Sequence, residues 1–122
     1  MRDLRPLLLA EAAAFAIAAL VHFGVLVDGF QDETAGTAES IIGLVLLSGA
    51  AVSWLRPNWT RAAALLTQGF ALLGSLVGLY VAVVIGPTTI PDMVFHVGIV
   101  AVLAWGIGVA WRATGSGVTA AG

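Results

Sequence analysis

The two histidines of the chain, His22 and His96, are the residues whose chemistry is most informative. Asp92 precedes His96 by four residues, which places both side chains on one face of a helix. An imidazole gains or loses a proton near neutral pH, and it also ligates haem iron or zinc. A neighbouring carboxylate orients the ring and determines its tautomer. The sequence contains no cysteine, which excludes thiolate catalysis and thiolate metal ligation.

The chain that must position these residues is strongly apolar. Of its 122 residues, 60% are apolar and 10% are charged, whereas a soluble domain carries about a quarter charged residues. About 20 helical residues span a hydrocarbon core, and a helix satisfies its own backbone hydrogen bonds in lipid. We therefore predict one all-α domain over residues 1–112, a four-helix transmembrane bundle with antiparallel up-down topology. Its helices are expected over about 6–27, 37–55, 60–85 and 91–112, followed by a disordered tail over 113–122.

The basic residues of the chain are expected to lie on one side of this bundle. They precede the first helix, occupy the second connection and follow the fourth helix: Arg2, Arg5, Arg56, Arg61 and Arg112. Arginines close to transmembrane helices remain in the cytoplasm during insertion. This pattern predicts a multi-pass protein of the cell's inner (plasma) membrane, surrounded by the lipid bilayer, with both termini cytoplasmic. A net charge of −2 without a basic patch excludes a nucleic-acid partner.

Depth along the helices predicts a polar layer near the outer leaflet. At about 1.5 Å per residue, His22, Tyr80 and His96 each lie about 7–9 Å inside the outer boundary. Glu39 and Asp92 lie just above them. Ionisable side chains inside a membrane usually face the bundle interior. We predict a polar pocket of these five residues that binds a small ligand or relays protons.

Two other interpretations of the histidines stay open at this point. His22 and His96 could ligate a haem iron from opposite sides, or a metal ion if Glu39 or Asp92 completed the ligand set. Alternatively, each histidine could bond to groups on neighbouring helices and serve only the packing of the bundle. The first alternative predicts a bis-histidine haem-binding redox protein, whereas the second predicts no cofactor.

Glu11 is a further ionisable residue within the predicted membrane region. It lies about 7–8 Å above the inner boundary and three helical turns before His22, on the same stripe of the first helix. Gln68 falls at a middle depth of the third helix and is predicted to lie on the same interior path. A proton-coupled small transporter that uses Glu11 is therefore an alternative function. Glu11 could instead pair with an arginine or remain protonated.

Small residues indicate where helices approach one another closely. Gly74 and Gly78 form a small-xxx-small pair on the third helix. Such a pair packs helices within one chain or forms the interface of a homo-oligomer. We expect the chain to be non-enzymatic, either as a homo-oligomer or as an accessory subunit of a larger membrane complex.

Two groups of membrane proteins resemble this chain. Leu9-Ala10-Glu11 is similar to the segment around the membrane-embedded glutamate of the small multidrug resistance transporters, which exchange protons for cationic drugs. The chain departs from that family in its arginine asymmetry and in lacking the aromatic-glycine pattern of the third helix. The whole chain resembles uncharacterised small four-helix bacterial membrane proteins, through His22, Glu39 and the turn Gly86-Pro87…Pro91-Asp92…His96. This second resemblance implies the architecture and no particular activity.

Overall fold

The computed structural model describes the backbone of residues 4–121 and the side chains of residues 4–113. Four α-helices make up nearly all of it: α1 (Leu4–His22), α2 (Glu33–Leu55), α3 (Thr60–Tyr80) and α4 (Ile90–Ala121). A 3₁₀ turn (Pro57–Trp59) joins α2 to α3, and a π-helical turn (Val81–Ile85) continues α3. The prediction of a disordered tail over 113–122 falls mainly on residues whose side chains lie outside this description, and it stays a prediction.

The first two helices pack side by side and in opposite directions. Arg5 at the start of α1 donates a hydrogen bond to the Ser53 carbonyl near the end of α2, at 2.7 Å. At the other end, His22 of α1 contacts Glu39 of α2. Extensive contacts also join α2 to α3 and α3 to α4, whereas α1 and α4 contact each other less extensively. The seam between α1 and α4 is therefore the most open of the four-helix arrangement.

The surface of the bundle is apolar on every helix. The core is small and contains Leu8, Phe15, Leu46 and Leu103, all less than 3% exposed. Many large apolar side chains point outward on all four helices, including Ile17, Leu44, Leu66, Leu73, Val94 and Val97. An outward apolar surface of this extent suits lipid rather than water. All four helices are long and apolar enough to cross a membrane, as a multi-pass membrane protein requires.

The first helix ends earlier than the predicted Val27. The N–H of Gly24 donates to the Val21 carbonyl, and the N–H of Val25 donates to the Leu20 carbonyl. Gly24 has φ +77°, so this pair of bonds forms the Schellman arrangement that ends a helix at a left-handed glycine. His22 therefore lies in the last turn of α1, not further inside the helix.

The second and third helices also differ from their predicted bounds at this end. The Asp32 side chain accepts a hydrogen bond from the Ala35 N–H at 3.1 Å, and this cap starts α2 at Glu33 rather than at Thr37. Regular α-helix in α3 ends at Tyr80, because the next five residues form the π-helical turn up to Gly86. The π-helical turn alters the rotation of the side chains that follow Tyr80, whereas Tyr80 itself ends the regular helix.

Two arginines and two tryptophans lie together at the end of the bundle opposite to His22. Arg5 lies over the Trp54 ring at 5.9 Å, and Arg61 lies over the Trp111 ring at 5.4 Å. A guanidinium over an indole face is a favourable cation–π contact. We call this end the arginine end, and the opposite end, which holds His22 and Asp92, the histidine end.

Candidate functional site

Three helices bring four ionisable side chains together at the histidine end. His22 Nδ1 lies 2.7 Å from Glu39 Oε2, and His22 Nε2 lies 3.4 Å from Asp92 Oδ1. His96 Nδ1 lies 3.5 Å from the same Asp92 oxygen. We call Glu39, His22, Asp92 and His96 the histidine network. It joins α2, α1 and α4, and its members were predicted to share this layer.

Hydrogen bonds determine the tautomer of His96. Its Nδ1 lies 2.8 Å from the Asp92 backbone carbonyl, which can only accept a hydrogen bond, so Nδ1 carries the proton. Nε2 faces α3, where a Cβ on Gly78 would lie only 2.9 Å away. The Phe95 ring packs edge-on against the imidazole, with centroids 5.7 Å apart. His96 is thus held in one orientation by its own helix and by α3.

The contacts of His22 limit how protons are distributed in the network. A contact between an imidazole nitrogen and a carboxylate oxygen is favourable only when a proton lies between them. His22 has two such contacts, to Glu39 and to Asp92. The Glu39 contact is a hydrogen bond, so one proton lies between His22 Nδ1 and Glu39 Oε2. The Asp92 contact is an ion pair only when His22 also carries a proton on Nε2. In that form the imidazolium lies between two carboxylates, and the three groups together carry a single negative charge.

The start of α4 positions Asp92. The Thr88 hydroxyl donates to Asp92 Oδ2 at 3.2 Å, and the Asp92 N–H donates to the Thr89 hydroxyl at 3.3 Å. The carboxylate also lies in the first turn of α4, where the positive end of the helix dipole favours an anion. Oδ2 is therefore held by Thr88 while Oδ1 faces both histidines. The Thr88-Thr89 segment thus has a positioning role that goes beyond the turn predicted from its sequence.

Tyr80 does not join the network. Its side chain is 58% exposed on the outside of α3, and no hydrogen bond links its hydroxyl to His22 or His96 in the described part of the chain. It shares the depth of the histidines but not their direction. Position along the sequence predicts the depth of Tyr80, but the direction in which its side chain points depends on the rotation of α3 about its axis.

Glu11 and Gln68 meet at a second polar site, closer to the arginine end. Glu11 is 1% exposed and Gln68 is fully buried. The Gln68 amide donates to the Ala64 carbonyl at 3.0 Å, so its oxygen is directed at Gly106, where it would overlap any added Cβ. Glu11 Oε1 would lie 3.0 Å from that same Cβ. Among the described side chains, the two Glu11 carboxyl oxygens and the Gln68 amide oxygen have no hydrogen-bond partner.

An aromatic layer separates the two polar sites. Phe15 lies between Glu11 and His22 on the buried face of α1 and is 2% exposed. Its ring meets Phe95 of α4 edge-on, with centroids 5.8 Å apart. The histidine network and the Glu11–Gln68 site are therefore distinct sites, about 16 Å apart along α1.

The histidines are not arranged for a shared haem. An iron held between two imidazoles needs one free nitrogen on each ring, pointing at a common centre. Both His22 nitrogens face carboxylates, and Nε2 of His96 faces the Gly78 backbone. Among the described residues, no group of three or more His, Cys, Asp or Glu side chains is placed to hold a metal ion.

Gly74 and Gly78 face other helices of the same chain. A Cβ on Gly74 would lie 2.8 Å from the end of the Ile42 side chain on α2, and Gly78 lies against His96 of α4. Both glycines therefore serve close packing inside the bundle. A homo-oligomer formed through this pair stays a prediction.

An apolar groove of about 530 Å³ runs along the seam between α1 and α4 and ends at the histidine network. Its walls are almost entirely apolar, and His22 and Asp92 are its polar members. The other lining residues are Ala14, Ile17, Ala18, Val21, Val27, Phe30, Pro91 and Phe95. We call this the α1/α4 groove. A mostly apolar cleft with a few polar groups at one place is typical of small-molecule sites.

Comparison of the chain with protein families, with curated proteins and with solved structures finds no match.

Proposed function

We propose that this chain is a small, non-enzymatic protein of the plasma membrane that binds protons and a small lipid-soluble ligand at the histidine network. The observation that carries the proposal is His22 between two carboxylates from two other helices. Placing an ionisable group within a membrane costs free energy, so a cluster of four such groups supports a functional role for this site. We propose that the protein acts as an oligomeric or accessory subunit.

The orientation that we propose follows from the arginines. Arg5 and Arg61 lie at the end opposite the histidine network, together with Trp54 and Trp111. Basic residues at one end of the helices favour a cytoplasmic position for that end. Both termini are then cytoplasmic, and the histidine network lies near the outer leaflet, where it exchanges protons with the outer aqueous phase.

Infrared difference spectra test whether Asp92 and His22 share protons. We expect a pH step to produce a protonated-carboxyl band that Asp92→Asn removes and His22→Leu shifts, because the imidazole is one of the groups competing for that proton. Purified protein in lipid nanodiscs is suitable for this measurement. An Asp92 band that is identical with and without His22 would contradict a shared network. Tyr80→Phe is the matched control and should leave the band unchanged.

A second candidate function is proton-coupled transport through Glu11. It is favoured by a carboxyl group that is 1% exposed and has no hydrogen-bond partner among the described side chains. Such a group can alternate between a proton and a cationic substrate. The resemblance of Leu9-Ala10-Glu11 to the small multidrug resistance transporters points the same way.

Dye efflux from cells tests this second function. If the protein is a transporter, Glu11→Gln should abolish efflux of a lipophilic cationic dye while membrane expression stays unchanged, because the amide cannot exchange a proton. Glu33→Gln, at the exposed start of α2, serves as the charge-matched control. Efflux that is equal in wild type and Glu11→Gln excludes the transporter.

A further inference from the structure

The α1/α4 groove and the histidine network form one continuous surface, and this inference rests on the proposed function of that network. The groove follows α1 from Ala14 to His22. These two residues are eight positions apart, which corresponds to a length of about 12 Å. Its volume of about 530 Å³ lies within the usual range for small ligands. A site of this shape accepts a single apolar chain or a compact apolar body, with one polar group at the histidine end.

The charge of the network decides which polar group fits. Two carboxylates and one imidazolium carry a single negative charge, which is the smallest net charge of these three groups while both carboxyl groups are ionised. His96 adds no charge when its ring is neutral. An unbalanced negative charge inside a membrane is unfavourable, and a single positive charge placed beside it removes that cost.

Asp92 is the network member that can meet a ligand from the groove. Its side chain is 22% exposed, whereas the Glu39 side chain is 7% exposed and is engaged at 2.7 Å by His22. A carboxylate accepts several hydrogen bonds, so Asp92 can bind an ammonium group while retaining its contacts to Thr88 and the histidines. Glu39 instead borders a second groove, between α1 and α2, which also contains Ala16.

We infer that the α1/α4 groove binds a single-chain, monocationic amphiphile, with its ammonium group on Asp92 and its apolar body along Ala14, Ala18 and Val21. The single charge of the ligand neutralises the network, and its apolar body covers the open seam between α1 and α4.

Photo-crosslinking tests this inference on the full-length protein in phosphatidylcholine nanodiscs, which contain no competing primary amine. The probe is dodecylamine that carries a diazirine on its chain. We expect labelling of the peptide that contains Ile17 and Val21. Unlabelled dodecylamine should compete about tenfold better than dodecanol, because its ammonium group adds a charge–charge attraction to the hydrogen bond that a hydroxyl group also donates to Asp92. Dodecanoate should compete least.

Two matched substitutions on α1 locate the site. Ala14→Leu narrows the α1/α4 groove and should abolish labelling, whereas Ala16→Leu makes the same change in the α1/α2 groove and should leave labelling intact. Asp92→Asn should remove the preference for the amine over the alcohol. Labelling that is lost in Ala16→Leu but not in Ala14→Leu overturns the inference, as does equal competition by amine and alcohol.

The failure of this inference is distinguishable from failure of the proposed function. The infrared test needs no ligand, so it reports on proton sharing alone. A shifted Asp92 band combined with charge-independent labelling overturns the cationic ligand and leaves the network intact. An Asp92 band that is the same in wild type and in His22→Leu contradicts the histidine network itself.

Discussion

Replacing His22 by leucine is expected to lower the free energy of unfolding by about 3 kcal/mol or more, which is the usual cost of removing one partner of a buried ion pair. The imidazole is the group that both Glu39 and Asp92 face in the described structure. Without it, Glu39 stays buried at 5% exposure with no partner. Equilibrium unfolding of the purified protein in mixed micelles measures the difference.

The double variant His22→Leu, Glu39→Leu distinguishes loss of the His22–Glu39 ion pair from loss of side-chain packing. Replacing both partners by apolar groups is often nearly neutral, so most of the lost stability should return. Tyr80→Phe is the matched control at the same depth, and it should change stability by less than about 0.5 kcal/mol, since its hydroxyl lies outside the network. A double variant that is as unstable as His22→Leu contradicts the buried pair as the source of the effect.

Replacing Gly106 by alanine is expected to destabilise the bundle by about 2–3 kcal/mol, at the upper end of the cost of overpacking. The new methyl group would occupy the position of the Gln68 amide oxygen and press on Glu11. Both side chains are buried, so neither can move into water. The same unfolding measurement detects the loss.

Gly98→Ala provides the matched control, on the same helix and with the same added methyl group. A Cβ on Gly98 meets no atom within 4 Å, so alanine should stabilise the helix by up to about 1 kcal/mol through its higher helix propensity. Gly106→Ala combined with Gln68→Ala should recover part of the loss, because the overlapping atoms are removed. Equal stability of the two single glycine variants would falsify the close contact at Gly106.

The sequence was sufficient to predict the four helices and the end of the bundle at which His22, Glu39, Asp92 and His96 meet. Length and hydropathy predicted four spans, and counting from the turns placed His22, His96, Glu39 and Asp92 in one layer. The network is possible because α1, α2 and α4 place these residues at one end of the bundle. Asp92 and His96 share a helix face, as their spacing of four residues required.

Rotation about the helix axis was the property that depth could not supply. Tyr80 lies in the predicted layer but points outward from the bundle. Gly74 and Gly78 could have faced another chain as readily as their own, and only the packing of α2 and α4 against α3 shows which surface they occupy. The end of α1 could have been predicted, because Gly24 is a residue that commonly ends a helix. The prediction instead followed the apolar run to Val27.

Nitrogen-15 NMR of the His22 ring tests the central claim, the proton shared among Glu39, His22 and Asp92, most directly. Protein with ¹⁵N-labelled histidine in nanodiscs is titrated across neutral pH, in wild type and in Glu39→Gln. The network predicts that His22 holds protons on both ring nitrogens, or exchanges one of them with a carboxyl group, and that Glu39→Gln changes this state. A neutral His22 with one unprotonated nitrogen, titrating identically in both proteins, would contradict it.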